Sequence, residues 1–173
     1  MSAINFSTVV VGVVLAGAPA FGAQQAKAAA VSPPPLPAQI VNCKRVFISN
    51  GGEEGLNTGF GPVFSGRSDR VYSQFYAAVK EWGRYELVSA PANADLVFEI
   101  GFAFSDTGLK VPQLGRLRLA IRDPNSNVLL WAFTEYVRVA ILKGNRDKNF
   151  DQAMGVILDE LKDLTQPGAA AKP

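Results

Sequence analysis

Apolar residues recur along this chain in two periods. In ADLVFEIGFAF (94–104), Leu96, Phe98, Ile100, Phe102 and Phe104 alternate with Val97, Glu99, Gly101 and Ala103, the period-2 signature of a strand with one buried face. GRLRLAIRD (115–123) repeats it, with Leu117, Leu119 and Ile121 opposite Arg116, Arg118, Ala120 and Arg122. The period changes in SDRVYSQFYAAVKEWG (68–83), where Val71, Phe75, Val79 and Trp82 fall on one helical face. Ser68 or Asp69 is suited to capping that helix, and Gly83 to the left-handed position that closes it. In NFDQAMGVILDELKDL (149–164), Phe150, Met154, Ile157, Leu161 and Leu164 form a second apolar stripe, and Asn149 with Gln152 resembles a capping box.

Two short β-rich runs, KRVFISN (44–50) and YELVS (85–89), complete the early part of the pattern. DPNSN (123–127) has turn composition, so the strands on either side predict a hairpin. With Arg122 and Val128 flanking the turn, Ile121 opposes Leu129, Leu119 opposes Trp131 and Leu117 opposes Phe133, which places every apolar residue on one face. The order β-α-β-β-β-β-α, with one-sided strands and amphipathic helices, predicts an α+β two-layer sandwich. Its sheet is mostly antiparallel, and both helices cover one face. Trp82 and Trp131 lie on apolar faces and read as core.

The ends differ from this pattern. Residues 9–23 are an uncharged apolar run, and no charged side chain precedes Lys27. Small residues follow, so residues 1–30 read as a secretory signal peptide with several cleavage choices, or as an uncleaved anchor. Residues 31–40 are a Pro-rich spacer, 41–165 a single domain, and 166–173 a frayed, disordered tail. The expected localisation is periplasmic or secreted, with membrane contact only through the uncleaved signal.

Composition then narrows the chemistry. The chain has no histidine, which removes Ser-His-Asp and Cys-His catalysis and most transition-metal sites. Its single cysteine, Cys43, cannot form an internal disulfide and reads as a small half-buried residue, with an intermolecular disulfide as the alternative. A formal charge of +2 is too weak to suggest a nucleic-acid partner. No cofactor or metal is expected. Carboxylates remain: Glu53 and Glu54 in a glycine-rich loop, Asp159 and Asp163 on a solvated helix face, and Glu135, which alternation points inward. In the register above Glu135 opposes Gly115 and emerges at the sheet's end.

Two candidate binding features emerge. On the outer sheet face Arg116, Arg118, Arg122 and Arg138 lie with Tyr136 around Gly101, Ala103, Ala120 and Ala132, a flat basic platform whose guanidinium groups tolerate desolvation. The other is the long loop over residues 50–67, which carries Phe60 and Phe64 either as a lid over the core edge or as an apolar partner site. Residues 61–68 spell G-x-x-x-x-G-R-S, close to a phosphate-binding loop. However, the buried strand that should lead into the first glycine is missing and arginine replaces lysine, so nucleotide binding is not expected.

From Gly83 onward the chain resembles a group of uncharacterised bacterial envelope proteins, many of them lipoproteins. The resemblance lies in GRYELV, ADLVFEI, RLRLAIRDPNSNVLLW and FDQAMGVILDELKDL. Its layout also looks like that of small periplasmic accessory domains such as the amino-terminal domain of TolB. The resemblance implies contacts with an envelope protein or polymer, or self-association, rather than turnover. It is offset by the missing lipoprotein cysteine and the glycine-aromatic loop. The expectation is a non-enzymatic accessory or binding module of the cell envelope. The alternatives are a small Asp/Glu-dependent hydrolase or transferase, and a binder of an anionic small molecule or glycan on the arginine face.

Overall fold

A computed structural model describes residues 35–54, 57–58, 61–62, 64–104 and 113–166. The signal region, Phe60 and residues 167–173 lie outside these. The elements are α1 (Ala38–Asn42), β1 (Arg45–Glu54), β2 (Asn57–Thr58), β3 (Gly61–Pro62), α2 (Arg70–Trp82), β4 (Glu86–Leu87), β5 (Leu96–Phe104), β6 (Gln113–Arg122), β7 (Leu129–Arg138) and α3 (Lys143–Thr165), with one 3-10 turn at Pro91–Asn93. The α+β layout is as the periodicity predicts.

Five strands form one sheet in the order β4-β1-β5-β6-β7, while β2 and β3 pair separately as a small antiparallel hairpin. The sheet is mixed rather than mostly antiparallel: β1 is parallel to both β4 and β5, and only β5-β6-β7 runs antiparallel. The reason is connectivity. Helix α2 carries the chain from the end of β1 back to the start of β4, so β4 must run in the direction of β1. Asp95 fixes where β5 begins beside β1. Its carboxylate accepts from the amides of Lys44 (3.0 Å) and Arg45 (2.9 Å) and from the Arg45 guanidinium (3.0 Å). Those two amides and the guanidinium hold its pKa at about 2.

One face of the sheet carries the core. Val46, Ile48, Leu96, Phe98, Ile100, Phe102, Leu117, Leu119 and Ile121 are buried against Val71, Phe75 and Val79 of α2 and Phe150, Met154, Ile157 and Leu161 of α3. Trp82 and Trp131 are partly buried against it. Within the stretch predicted as spacer, the chain turns helical at Ala38, and Ile40 is fully buried. Helix α3 begins at Lys143, six residues before the predicted capping box, and Asn149 donates instead to the carbonyl of Arg138 at 3.0 Å.

The hairpin register differs from the expected one by two residues. Ile121 opposes Trp131, Leu119 opposes Phe133, Leu117 opposes Glu135 and Gly115 opposes Val137, with a bulge beside Arg122. The turn causes this. The Asp123 carboxylate accepts from the amides of Asn125 and Ser126, and Asn127 takes a φ of +56°. Residues 123 and 128 therefore flank the turn, and the bulge takes up one further residue. A two-residue shift keeps the apolar face intact but moves Glu135 inward along the sheet.

Gly115 is a packing requirement. A Cβ there would lie 2.4 Å from Phe102 Cζ and 2.6 Å from the Ala103 carbonyl oxygen. The ring could swing away, but the backbone oxygen of a paired strand cannot. Gly115→Ala is therefore expected to lower unfolding free energy by about 2 kcal/mol in urea titration.

Candidate functional site

The solvent-facing side of the sheet carries three cross-strand rows. Ala103, Arg116 and Tyr136 form one, Gly101, Arg118 and Thr134 the next, and Glu99, Ala120 and Ala132 the third. Alternation sets this arrangement, because the residues between inward leucines must point outward. Arg116, Arg118, Arg138 and Tyr136 are exposed. Arg122 is not an equal member of the group: its Nε lies 3.4 Å from Glu99 Oε2, and its Nη1 donates to the Asn127 carbonyl at 3.3 Å. Arg116 and Arg118 make no ion pair among the described residues.

Between these two arginines and β1 lies a shallow cavity of about 180 Å3, floored by Gly101, Ala103 and Ala120. Its far wall is a feature the sequence pattern missed. β1 does not end at its glycines but passes through a bulge, in which Gly51 and Gly52 oppose Gly101 alone. Gly52 has φ +93°, a conformation that favours glycine. A Cβ on Gly101 would lie 3.1 Å from the carbonyl oxygens of both Gly51 and Gly52. The glycine pair in the sequence was a signal for a bulge as much as for a strand end.

The other predicted site residue within the described structure, Phe64, is on the opposite side. It is 6% exposed, meets Phe102 edge-on at 5.5 Å between centroids, and lies 4.8 Å from the Phe150 ring. Arg70 holds the adjoining loop. Its Nη1 donates to the Ser65 carbonyl (3.0 Å) and to Asp147 (2.6 Å), and its Nη2 to Asp151 (2.7 Å). The Ser65 amide donates to the same Asp147 oxygen at 2.9 Å. The arginine plane lies 4.8 Å from the Phe150 centroid. One guanidinium thus ties α2, α3 and the end of the loop together, a role that periodicity could not reveal.

Glu53 and Glu135 do not converge. Glu53 Oε1 accepts from the Val71 amide at 3.1 Å, so a protein carboxylate occupies the start of α2 where the phosphate-loop reading would place an anion. Burial raises the pKa of Glu53. Glu53 and Glu135 sit on the same row of the sheet but three strand spacings apart, about 14 Å. Glu135 is half-buried opposite Leu117, not at the sheet's end. Burial first, and the charge of Glu135 second, raise the pKa of Glu160 on α3. Among the described residues no group of three or more His, Cys, Asp or Glu could hold a metal ion. Cys43 is buried, its Sγ is 3.5 Å from the Ile40 carbonyl, and burial pushes its thiol up to about 11.

A second groove, also absent from the sequence reading, runs beside the short strand β4. Tyr72, Tyr76, Phe47 and Leu87 line a cavity of about 490 Å3. Tyr72 and Tyr76, four apart and flanking the apolar stripe of α2, were the available signal.

The fold and this face define an α+β sandwich domain with one sheet face under helices and the other open and arginine-bearing. No family model matches the chain, and no curated protein matches it. Among solved structures it is similar to a Xanthomonas campestris protein of the DUF330 family, with 14% identity over 71% of this chain and 82% of that one and a TM-score of 0.47. It is also similar to the PelC dodecamer from Paraburkholderia phytofirmans, with 14% identity, 68% and 86% coverage and a TM-score of 0.45. A third is a putative neuraminyllactose-binding hemagglutinin homolog from Helicobacter pylori, with 15% identity, 73% and 85% coverage and a TM-score of 0.45. None of these bears on the likeness to the TolB amino-terminal domain. Among the described residues no helix is long and apolar enough to cross a membrane.

Proposed function

We propose that this chain is a non-enzymatic accessory or binding module of the cell envelope, exported by its N-terminal segment, and that it works through its open sheet face. One observation carries the reading. Arg116 and Arg118 stand exposed, without an ion-pair partner among the described residues, over a cavity floored by glycine and alanine. Arg45, Arg70 and Arg122 are by contrast matched to acids, Arg45 to Asp95, Arg70 to Asp147 and Asp151, and Arg122 to Glu99, while Arg138 at the end of β7 is, like Arg116 and Arg118, without an ion pair among the described residues. Two unmatched guanidinium groups over small residues can approach a carboxylate or sulfate closely and bind it through paired donors. Arg138 and Tyr136 extend the surface along β7. The binding partner is thus an envelope protein or polymer presenting repeated anionic groups.

The carboxylate-enzyme alternative loses support from the separation of Glu53 and Glu135. The glycan-binder alternative uses the same face and differs in the size of the ligand. Arg116→Glu with Arg118→Glu is expected to weaken retention on an anionic polysaccharide matrix by at least about tenfold, since each charge-assisted contact contributes about 1.5–3 kcal/mol. Thermal unfolding of the double variant should match the parent. Retention unchanged by the double reversal would return this face to ordinary solvent exposure. Binding of a monosaccharide acid as tight as that of the polymer would favour the small-ligand reading.

A further inference from the structure

We propose that the loop joining β7 to α3 is a lipid-contact element, seating Ile141 and Leu142 in the headgroup region of an anionic bilayer. In residues 138–148 the chain reads RVAILKGNRDK. Ile141 is 95% exposed, Leu142 66% and Val139 44%. Aliphatic side chains are rarely left this bare on a soluble surface when they are adjacent and at a loop tip.

The loop is built rather than slack. Arg146 Nη1 donates to the carbonyls of Ala140 (3.3 Å) and Ile141 (3.0 Å), and the amides of Asn145 and Arg146 donate back to the Leu142 carbonyl at 3.0 and 3.1 Å. The Asn149 side chain donates to the Arg138 carbonyl on the other side of the tip. The carbonyls of Arg138, Ala140, Ile141 and Leu142 are thereby occupied within the protein, while the apolar side chains of the tip are exposed. Carbonyls already paired within the protein lower the cost of moving such a tip out of water.

Charge selects the occupant. Arg138, Lys143 and Lys148 are exposed around the tip, and the only acidic residue in this stretch, Asp147, is taken by Arg70 and Ser65. A convex tip of three aliphatic side chains is too small to support a stable protein interface, which buries about 800 Å2 on each partner. It suits the boundary of a bilayer, where the tip enters the acyl edge and the lysine and arginine stems reach the phosphates. The sequence alone predicts membrane contact only through the N-terminal segment. The tip shares Arg138 with the edge of the arginine platform, while Ile141, Leu142, Lys143 and Lys148 follow it in the chain.

The test uses the full chain, so that any binding through the N-terminal segment is common to all variants. Flotation with phosphatidylglycerol-containing vesicles should fall by at least about tenfold for Ile141→Ser with Leu142→Ser, because two largely exposed aliphatic groups no longer enter the acyl boundary. Lys143→Glu with Lys148→Glu should lower it by about fivefold per lysine or more, and pure phosphatidylcholine vesicles should bind the parent weakly. A local readout comes from Ile141→Cys carrying an environment-sensitive fluorophore, since the buried Cys43, its thiol pushed up to about 11, competes poorly for labelling at neutral pH. Its emission should shift to the blue on anionic vesicles only. Flotation indifferent to both double variants overturns the proposal, as does a fluorophore that does not respond. A blue shift that grows with protein concentration in the absence of vesicles also overturns it, and assigns the tip to contact between copies of the chain.

Discussion

Replacing Phe64 with alanine is expected to destabilise the protein by about 3–4 kcal/mol, seen as a lower urea midpoint with an unchanged denaturant slope. The magnitude follows from burial. Phe64 is 6% exposed and packs on Phe102 and Phe150, the latter fully buried at the core end of α3. Truncation would open a ring-sized void lined by two aromatic rings that are held by the sheet and the helix, so neither can collapse into it. The variant discriminates between the two roles open to the 50–67 loop. A lid residue loses stability when truncated, whereas an interface residue loses partner binding at constant stability. Phe64→Ala melting with the parent would sink the lid assignment.

Arg70→Met should cost about 3 kcal/mol, because methionine keeps the stem but leaves Asp147 without its guanidinium partner. Both side chains of that pair are 18% exposed, so solvent screens the interaction little. The effect should depend on pH in a defined direction. Burial works to raise the pKa of Asp147, but the hydroxyl and amide of Ser65 and the Arg70 guanidinium outweigh it and leave the carboxyl below its ordinary value. A carboxyl depressed in the folded state contributes stability that is complete above its unfolded pKa of about 3.9 and is lost as pH falls through the folded value. The parent should therefore lose stability as pH falls below about 4. In Arg70→Met that slope should flatten, and the two stability curves should converge at low pH. A constant offset between them down to the acid limit would show that packing on Phe150, rather than charge, is what Arg70 contributes.

Arg70 also marks where sequence reading stops. Its partners Asp147 and Asp151 are 77 and 81 residues away in the chain, and nothing in a helical stripe indicates a long-range ion pair. For the same reason the apolar period and the Asn149 capping pattern point to a start for α3 six residues after the one the fold takes. Residues 143–148 are polar and carry no apolar period, yet the turn is held by Arg70 and by the loop contacts of Arg146. The hairpin register differs for another reason. Alternation specifies which face a residue takes but is blind to shifts of two, so the inward face was legible and the pairing of Glu135 with Leu117 was not.

The sequence by itself determined the alternation of β5, β6 and β7, the apolar stripes of α2 and α3, the α+β class and the outward placement of Arg116 and Arg118. All of these depend on local period. It also removed histidine chemistry and an internal disulfide by composition alone. Only the tertiary structure decided the parallel placement of β1 between β4 and β5, the Gly51-Gly52 bulge over Gly101, the pairing of Arg122 with Glu99, and the burial of Phe64. Each of these depends on what a distant segment presents, and a side chain's partner across the fold leaves no periodic trace in its own neighbourhood.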